Sequence, residues 1–228
     1  MRVVAVIPVK SISERVESKN FREFFAGESL FDLLINKLRN SNEIDDIYIS
    51  SNALDVKDRV EELGCKFIQR ADEFCNNNVP WSDVIAHVAD SIPEDDNTAI
   101  AWCHTTSPLF DEYDEAVQSY KASTKDGKFD GLVTVSELAE FIVSENRQPI
   151  NYSWGPWHRY SQHLDTMYAI TGALFIAPKI EMVRNRYVIS KKPDFYVVPP
   201  LQAIDVDTEY DFKLAQLLMQ NKGLLSNA

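Results

Sequence analysis

The residues best suited to chemistry lie near the end of the chain, in Ile204-Asp205-Val206-Asp207-Thr208-Glu209-Tyr210-Asp211. Read as a strand running into a helix, this stretch points Asp205 and Asp207 to one side, where two carboxylates can share one hard cation. Thr208 then serves as an N-cap and Asp211 as its capping-box acid, so Asp211 has a structural reason to exist and the metal candidates are Asp205 and Asp207. An acidic strand end with no ligand is the competing reading. Near the start, Lys10, Arg15 and Lys19 fall within ten residues of an otherwise acidic chain. They are either solvated loop cations or a clamp for a polyanion such as a nucleoside triphosphate. A third group, His104-Thr105-Thr106-Ser107-Pro108, sets three hydroxyls between a histidine and a proline, as ligand donors or as a turn capping the next helix. Together these suit nucleotidyl transfer, in which an acceptor oxygen attacks the α-phosphorus of a triphosphate and pyrophosphate leaves with magnesium. Lys10, Arg15 and Lys19 would meet the developing charge. Arg70 is one further candidate for a phosphate or carboxylate fork.

The elements that must position these residues read as an open α/β sheet. Met1–Pro8 is short, β-branched and nearly uncharged, a first strand whose carboxyl end carries the cationic loop. Leu30, Leu33, Leu34, Ile35 and Leu38 recur at helical spacing, followed by a strand over 44–51, a helix over 55–63 stopped by Gly64, and a short strand over 65–69. This βαβαβ run with short connections predicts a mostly parallel, Rossmann-like sheet with helices on both faces. Trp81, Val84, Ile85, Val88 and Ala89 form one inward helical face, and Thr98–Cys103 is an uncharged central strand buried on both sides. A helix over 113–123 and a strand over 132–136 come next. Residues 137–164 lose periodicity and gain aromatics, as an excursion that covers a partner subunit or a bound substrate. The strand 168–177 returns to the core with Gly172 at a bulge or a close backbone approach. A mixed amphipathic stretch over 183–192, an edge or late strand over 195–200 and a helix over 209–220 complete the chain.

Composition narrows the classes. The chain has 228 residues, 45% apolar, with 35 acidic against 23 basic residues and a net charge of −12, enough for one good core in a single domain. No basic field exists for nucleic acid or an anionic membrane surface. Cys65, Cys75 and Cys103 are odd in number and lack CxxC spacing, as expected of reduced cytosolic thiols. No signal peptide and no run of membrane-spanning length is evident, so a cytoplasmic location is expected. No GxGxxG, no GK[ST] loop and no GxSxG elbow is present, which argues against a dinucleotide site, a P-loop enzyme and an α/β-hydrolase. His87 reads as structural and His158 and His163 as excursion groups, whereas His104 borders the donor loop.

In this order the motifs resemble the cytidylyltransferases that activate acidic sugars, the CMP-N-acylneuraminate and CMP-Kdo synthetase group. The resemblance is carried by Ile7-Pro8-Val9-Lys10-Ser11 with Arg15 and Lys19-Asn20, then Thr105-Thr106-Ser107-Pro108-Leu109, Gly172–Ile176 and Ile204–Phe212. It implies a nucleotide-diphospho-sugar-transferase-like domain with a dimerisation excursion, CTP and magnesium as co-substrates, and pyrophosphate release. It places CTP on Pro8, Lys10, Ser11, Arg15, Lys19, Asn20, Arg70, Thr106 and Ser107. It places the metal on Asp205 and Asp207, and the acidic sugar near His104, Tyr168 and Thr171, with 137–164 crossing to a second subunit. The sequence departs from the family pattern in a bulky Ser11–Glu17 in place of a glycine-rich loop, in His104-Thr105 where a glutamine is usual, and in Ser51-Asn52 in place of Thr-Asp. Other ketosugar acids or a small phosphonate are the alternative acceptors. A sugar-phosphate nucleotidyltransferase, a DxD glycosyltransferase and a non-catalytic nucleotide-binding protein are the alternative classes.

Overall fold

The computed structural model describes residues 1–10, 16–76 and 78–225. Its main sheet begins with β1 (Val3–Pro8), whose alternate side chains bury on opposite faces: Val3, Ala5 and Ile7 on one, Val4 and Val6 on the other. A strand covered on both sides has no reason to alternate polar and apolar residues, which is why it is uncharged. Parallel to β1 run β4 (Asp46–Ser51) and β6 (Ala99–Cys103) on its two flanks, and β5 (Lys66–Gln69) lies outside β4. Beyond β6 come β8 (Met167–Pro178), β7 (Gly131–Leu138) and β9 (Pro193–Val197), giving the order β5-β4-β1-β6-β8-β7-β9. Only β8 runs against the others in this sheet. The expected mostly parallel sheet is therefore present.

Helices cover both faces, as expected. On the first, α1 (Leu30–Arg39), α2 (Lys57–Glu62) and α4 (Tyr113–Ser123) bury Phe31, Leu38, Val60, Val117 and Tyr120. On the second, α3 (Trp81–Ser91) and α5 (Lys179–Asn185) bury Ile85, Val88 and Met182 around Trp102. The mixed amphipathic stretch over 183–192 does not extend that helix, because Arg186 turns left-handed at φ 53° and ends it. A small hairpin of β2 (Glu23–Phe25) and β3 (Glu28–Ser29) was not foreseen, being too short to show a period. It closes on α6 (Glu209–Gln220) through Phe24 and Phe212, whose rings meet edge-on at 5.2 Å. A last short helix, α7, spans Lys222–Leu225.

The chain visits β4 and β5 on one side of β1 and then crosses to β6 on the other. The strand order reverses between β1 and β6, and in an open α/β sheet the crevice beyond the carboxyl ends at such a point is where ligands bind. The β7–β8 pair runs on from the sheet, and residues 139–166 follow it as irregular turns tied by Asn151, whose side chain accepts from Ile142 N and donates to Glu140 O.

Candidate active site at the β1–β6 crevice

A cavity of about 770 Å³ opens at that crevice. Pro8 and Lys10 reach it from the end of β1, Arg70 from the end of β5, and His104, Thr105 and Thr106 from the end of β6. Lys19, Asn20, Asp205 and Asp207 complete the polar wall.

Residues 204–207 are extended but belong to no strand, which corrects the expectation of a strand there. The alternation it predicted holds for another reason. Val206 is fully buried against Phe24, Leu30 and Phe212, and its N–H donates to Thr106 O at 2.8 Å, so the flanking Asp205 and Asp207 both reach the cavity. The helix start holds the segment from the other side. Thr208 and Asp211 form the expected capping box, and Asp211 Oδ2 also accepts from Asp207 N at 3.2 Å. Asp211 thus positions the aspartate pair without lining the cavity.

Lys19 joins the two ends of the chain. Its buried ammonium donates to Val206 O at 2.7 Å and lies 3.9 Å from Asp207 Oδ1. Next to it, Thr105 Oγ1 donates to Asn20 Oδ1 at 2.8 Å, fixing the hydroxyl loop against the β1 loop. Burial raises the pKa of Asp205, as does the Asp207 charge beside it, against the Thr106 hydroxyl bond and Lys19. Two carboxylates that repel one another at a polar cavity are a fit for a divalent cation, which relieves both effects. Among the described residues no group of three or more His, Cys, Asp or Glu side chains could hold a metal. Two carboxylates are nonetheless what magnesium ordinarily takes from a protein when phosphate oxygens and water supply the rest.

Arg70 is buried, with Nη2 donating to Val9 O at 2.5 Å and Nε to Cys75 Sγ at 3.0 Å. Ser107 is buried just behind the cavity wall and its Oγ has no hydrogen-bond partner among the described residues. His104 carries a pKa pushed down to about 4, chiefly by burial. Ser11 and Arg15 lie outside the described residues. Tyr168 and Thr171 are not among the cavity-lining residues. Tyr168 packs edge-on against Phe195 at 5.6 Å, and Thr171 donates to Thr134 Oγ1 at 2.8 Å inside the β7–β8 pair.

Comparison with known proteins decides the family. The cytidylyltransferase family model matches residues 4–185. The chain belongs to the cytidylyltransferase family. An N-acylneuraminate cytidylyltransferase of Escherichia coli is 20% identical over 225 residues, covering 97% of this chain and 53% of that protein. One from Streptococcus agalactiae serotype III is 24% identical over 221 residues, covering 93% of this chain and 52% of that protein. The chain therefore spans about half the length of these curated relatives. Among solved structures, a CMP:2-keto-3-deoxy-manno-octonic acid synthetase complexed with CTP superposes at a TM-score of 0.66, with 12% identity, over 97% of this chain and 100% of that one. At that identity the likeness shows the shared cytidylyltransferase fold alone.

In this cavity, sequence reasoning missed the apolar wall. It assigned Trp81 to the inward face of α3, yet Trp81 lines the cavity together with Phe74, Val79 and Pro80. The proline was the available signal. At the helix N-cap, Pro80 brings the chain in from the crevice, so the first helical side chain faces the crevice and not the core. His87 is structural as expected, stacked on Phe74 at 4.0 Å and 3°. The three cysteines carry no disulfide.

Proposed function

We propose that this chain, as one domain, moves CMP from CTP to an acidic sugar, a nonulosonic or other 2-keto-3-deoxy acid, and releases pyrophosphate. The observation that carries this reading is the Lys19 junction: one buried cation bonded to the backbone between Asp205 and Asp207 brings a phosphate-type charge and a metal-type pair to the same cavity. Family membership and the likeness to N-acylneuraminate cytidylyltransferases support it.

Phosphate oxygens would lie along Lys10 and Lys19, with the hydrogen bond from the Thr105 hydroxyl to Asn20 holding the β1 and β6 loops at a fixed spacing. Arg15, Ser11 and Ser107 are the remaining nucleotide candidates. Arg70, at the far end beyond β5, would face the base. Asp205 and Asp207 would hold magnesium, which when bound supplies positive charge to the phosphates. The acceptor hydroxyl oxygen forms the new bond to the α-phosphorus and its proton leaves to solvent, the bond to pyrophosphate breaks, and Lys19 stabilises the charge on the departing oxygens. Because the carboxylate and the triphosphate are both anionic, the local cations must offset a chain charge of −12.

The described residues contain no helix long and apolar enough to cross a membrane. A cytoplasmic homodimer is the assembly we propose, with no nucleic-acid partner. The apolar side chains left open on β8 and β9, with Ile170 56% and Phe195 50% exposed, support pairing of two copies through that face.

The test is pyrophosphate release with magnesium and each of CTP, UTP, ATP and GTP, against N-acetylneuraminate, 2-keto-3-deoxy-manno-octonate, a sugar 1-phosphate and a small phosphonate. Turnover with CTP and an acidic sugar is expected. Asp207→Ala should lower kcat by on the order of 100-fold or more while the melting temperature holds. Wild-type kcat in that variant would remove the metal assignment, and turnover with ATP in place of CTP would remove the reading.

A further inference from the structure

The cavity has two unlike walls. One carries the cations, hydroxyls and carboxylates. The other is apolar, formed by Val79, Pro80, Trp81 and Val84 where α3 begins. Trp81 is its largest group, with 48% of its surface exposed. An indole left that open forgoes a sizeable burial gain, yet its ring is held on the protein side. Its ring meets the fully buried Trp102 edge-on, with centroids 6.1 Å apart at 89°, and sits 6.4 Å from His104. His104 is fixed in turn. Trp102 Nε1 donates to its Nε2 at 3.0 Å, and the other ring nitrogen hydrogen-bonds the Gly172 backbone. Both imidazole nitrogens are taken by the protein, so His104 offers the cavity ring surface and no hydrogen bond. Phe175 backs that ring edge-on at 5.9 Å. The sequence gives His104 a polar substrate contact. The structure makes it a brace.

We propose that Trp81 is the platform on which the acceptor's ring stacks, with Trp102 and His104 holding the indole in place. The inference rests on the cytidylyl-transfer reading, which runs the nucleotide from Arg70 past the β1 loop to Asp205 and Asp207. That leaves the Trp102 and His104 side of the β6 end for the acceptor, and these two residues are the aromatic neighbours of Trp81. A sugar ring turns a C–H face as well as hydroxyls to its surroundings. A rigid indole opposite a polar wall holds the C–H face while the carboxylate and the attacking hydroxyl point to the cations and the α-phosphorus. Trp81 acts here by binding and orienting, and takes no part in bond making.

Pyrophosphate release from wild type, Trp81→Ala, Trp81→Leu and Trp81→Phe, with CTP, magnesium and either N-acetylneuraminate or 2-keto-3-deoxy-manno-octonate, tests this. Trp81→Ala and Trp81→Leu should raise the acceptor KM about tenfold or more, and Trp81→Phe should restore it. The CTP KM should stay within about twofold in all three, since the platform is not a nucleotide contact. The tryptophan emission that Trp81→Phe removes should change when acceptor is added to the CTP complex and stay unchanged with CTP alone. An acceptor KM that stays at the wild-type value in both the Ala and Leu variants overturns the platform. So does a rise confined to the CTP KM, or an emission change produced by CTP alone. A wild type silent with both acceptors would instead remove the transfer reading, and the platform with it.

Discussion

Burial decides the state of His104. The loss of hydration pushes its imidazole down to about 4, over the opposing Gly172 hydrogen bond and with Lys19 adding to the fall. The ordinary value is 6.5. Between these two pH values the unfolded chain binds a proton that the folded chain refuses. Stability from this group therefore rises with pH across the window and is lost as pH falls through it. Complete loss amounts to roughly 3 kcal/mol. Chemical denaturation from pH 7 to 4 should show a steeper decline in wild type than in His104→Gln, and equal slopes would mean that the ring protonates in place. Lys19 is the contrasting case. Its place at the cavity was an expectation of the family resemblance, since the residues alone left it either a solvated loop cation or part of a clamp. Its bond to Val206 O was not, since the partners stand 187 positions apart and only the closed fold brings them together.

The β7–β8 pair shows how an element supports a side chain that it does not contain. Val133 faces Phe175 and Val135 faces Ile170, so β8 bulges outward opposite Thr134. Gly172, at φ 76°, supplies the left-handed turn that an L side chain resists. The Thr134 hydroxyl fills the bulge, donating to Leu174 O at 3.1 Å and accepting from Leu174 N at 3.1 Å and Thr171 Oγ1 at 2.8 Å. Thr134→Val keeps the shape and leaves these groups unpaired, at a cost of about 2 kcal/mol. Because the Gly172 backbone braces His104, the same change should raise the mobility of the Trp81 indole, read as lower fluorescence anisotropy. A variant of wild-type stability would show that water or a register shift replaces the hydroxyl. The bulge was one of two readings of the lone glycine in an apolar run, the other being a close backbone approach to a ligand. Its consequence for Thr171 was not, since a threonine on a strand near a site reads as a ligand donor until its hydroxyl is seen to be spent on the strand beside it. The extended 204–207 segment failed as a strand for a similar reason: alternation is a property of extended chain, and pairing depends on whether an edge is free to receive it.

At the scale of the molecule, the strand order sets where everything else must go. The sequence showed β1, β4, β5 and β6 clearly, since each is apolar and short with turn residues between, and parallel crossovers leave little choice of arrangement. The insertion of β8 between β6 and β7, antiparallel to both, carries no local signal and could not be read. The apolar side chains of Tyr168 and Ile170 on β8 and Phe195 and Val197 on β9 remain open to solvent. For the homodimer proposed above, sedimentation equilibrium should give twice the chain mass for wild type and the single mass for Ile170→Asp with Phe195→Asp. A wild-type monomer at high protein concentration would exclude pairing through this face.

The same strand order also fixes a sequence of events during synthesis. Val3–Pro8, Asp46–Ser51, Lys66–Gln69 and Ala99–Cys103 leave the ribosome in turn and can pair as they emerge. The outer rim of Ala99–Cys103, however, receives its partner only when Met167–Pro178 is made, because Gly131–Leu138 comes first and lies one place too far away to reach it. While residues 104–166 are translated, the growing chain carries five uncharged residues with an unanswered row of amides and carbonyls, Ala-Ile-Ala-Trp-Cys, which is a template for another nascent chain. The strand that lies beside the candidate site in the finished protein is thus the one most in need of protection before the protein is finished.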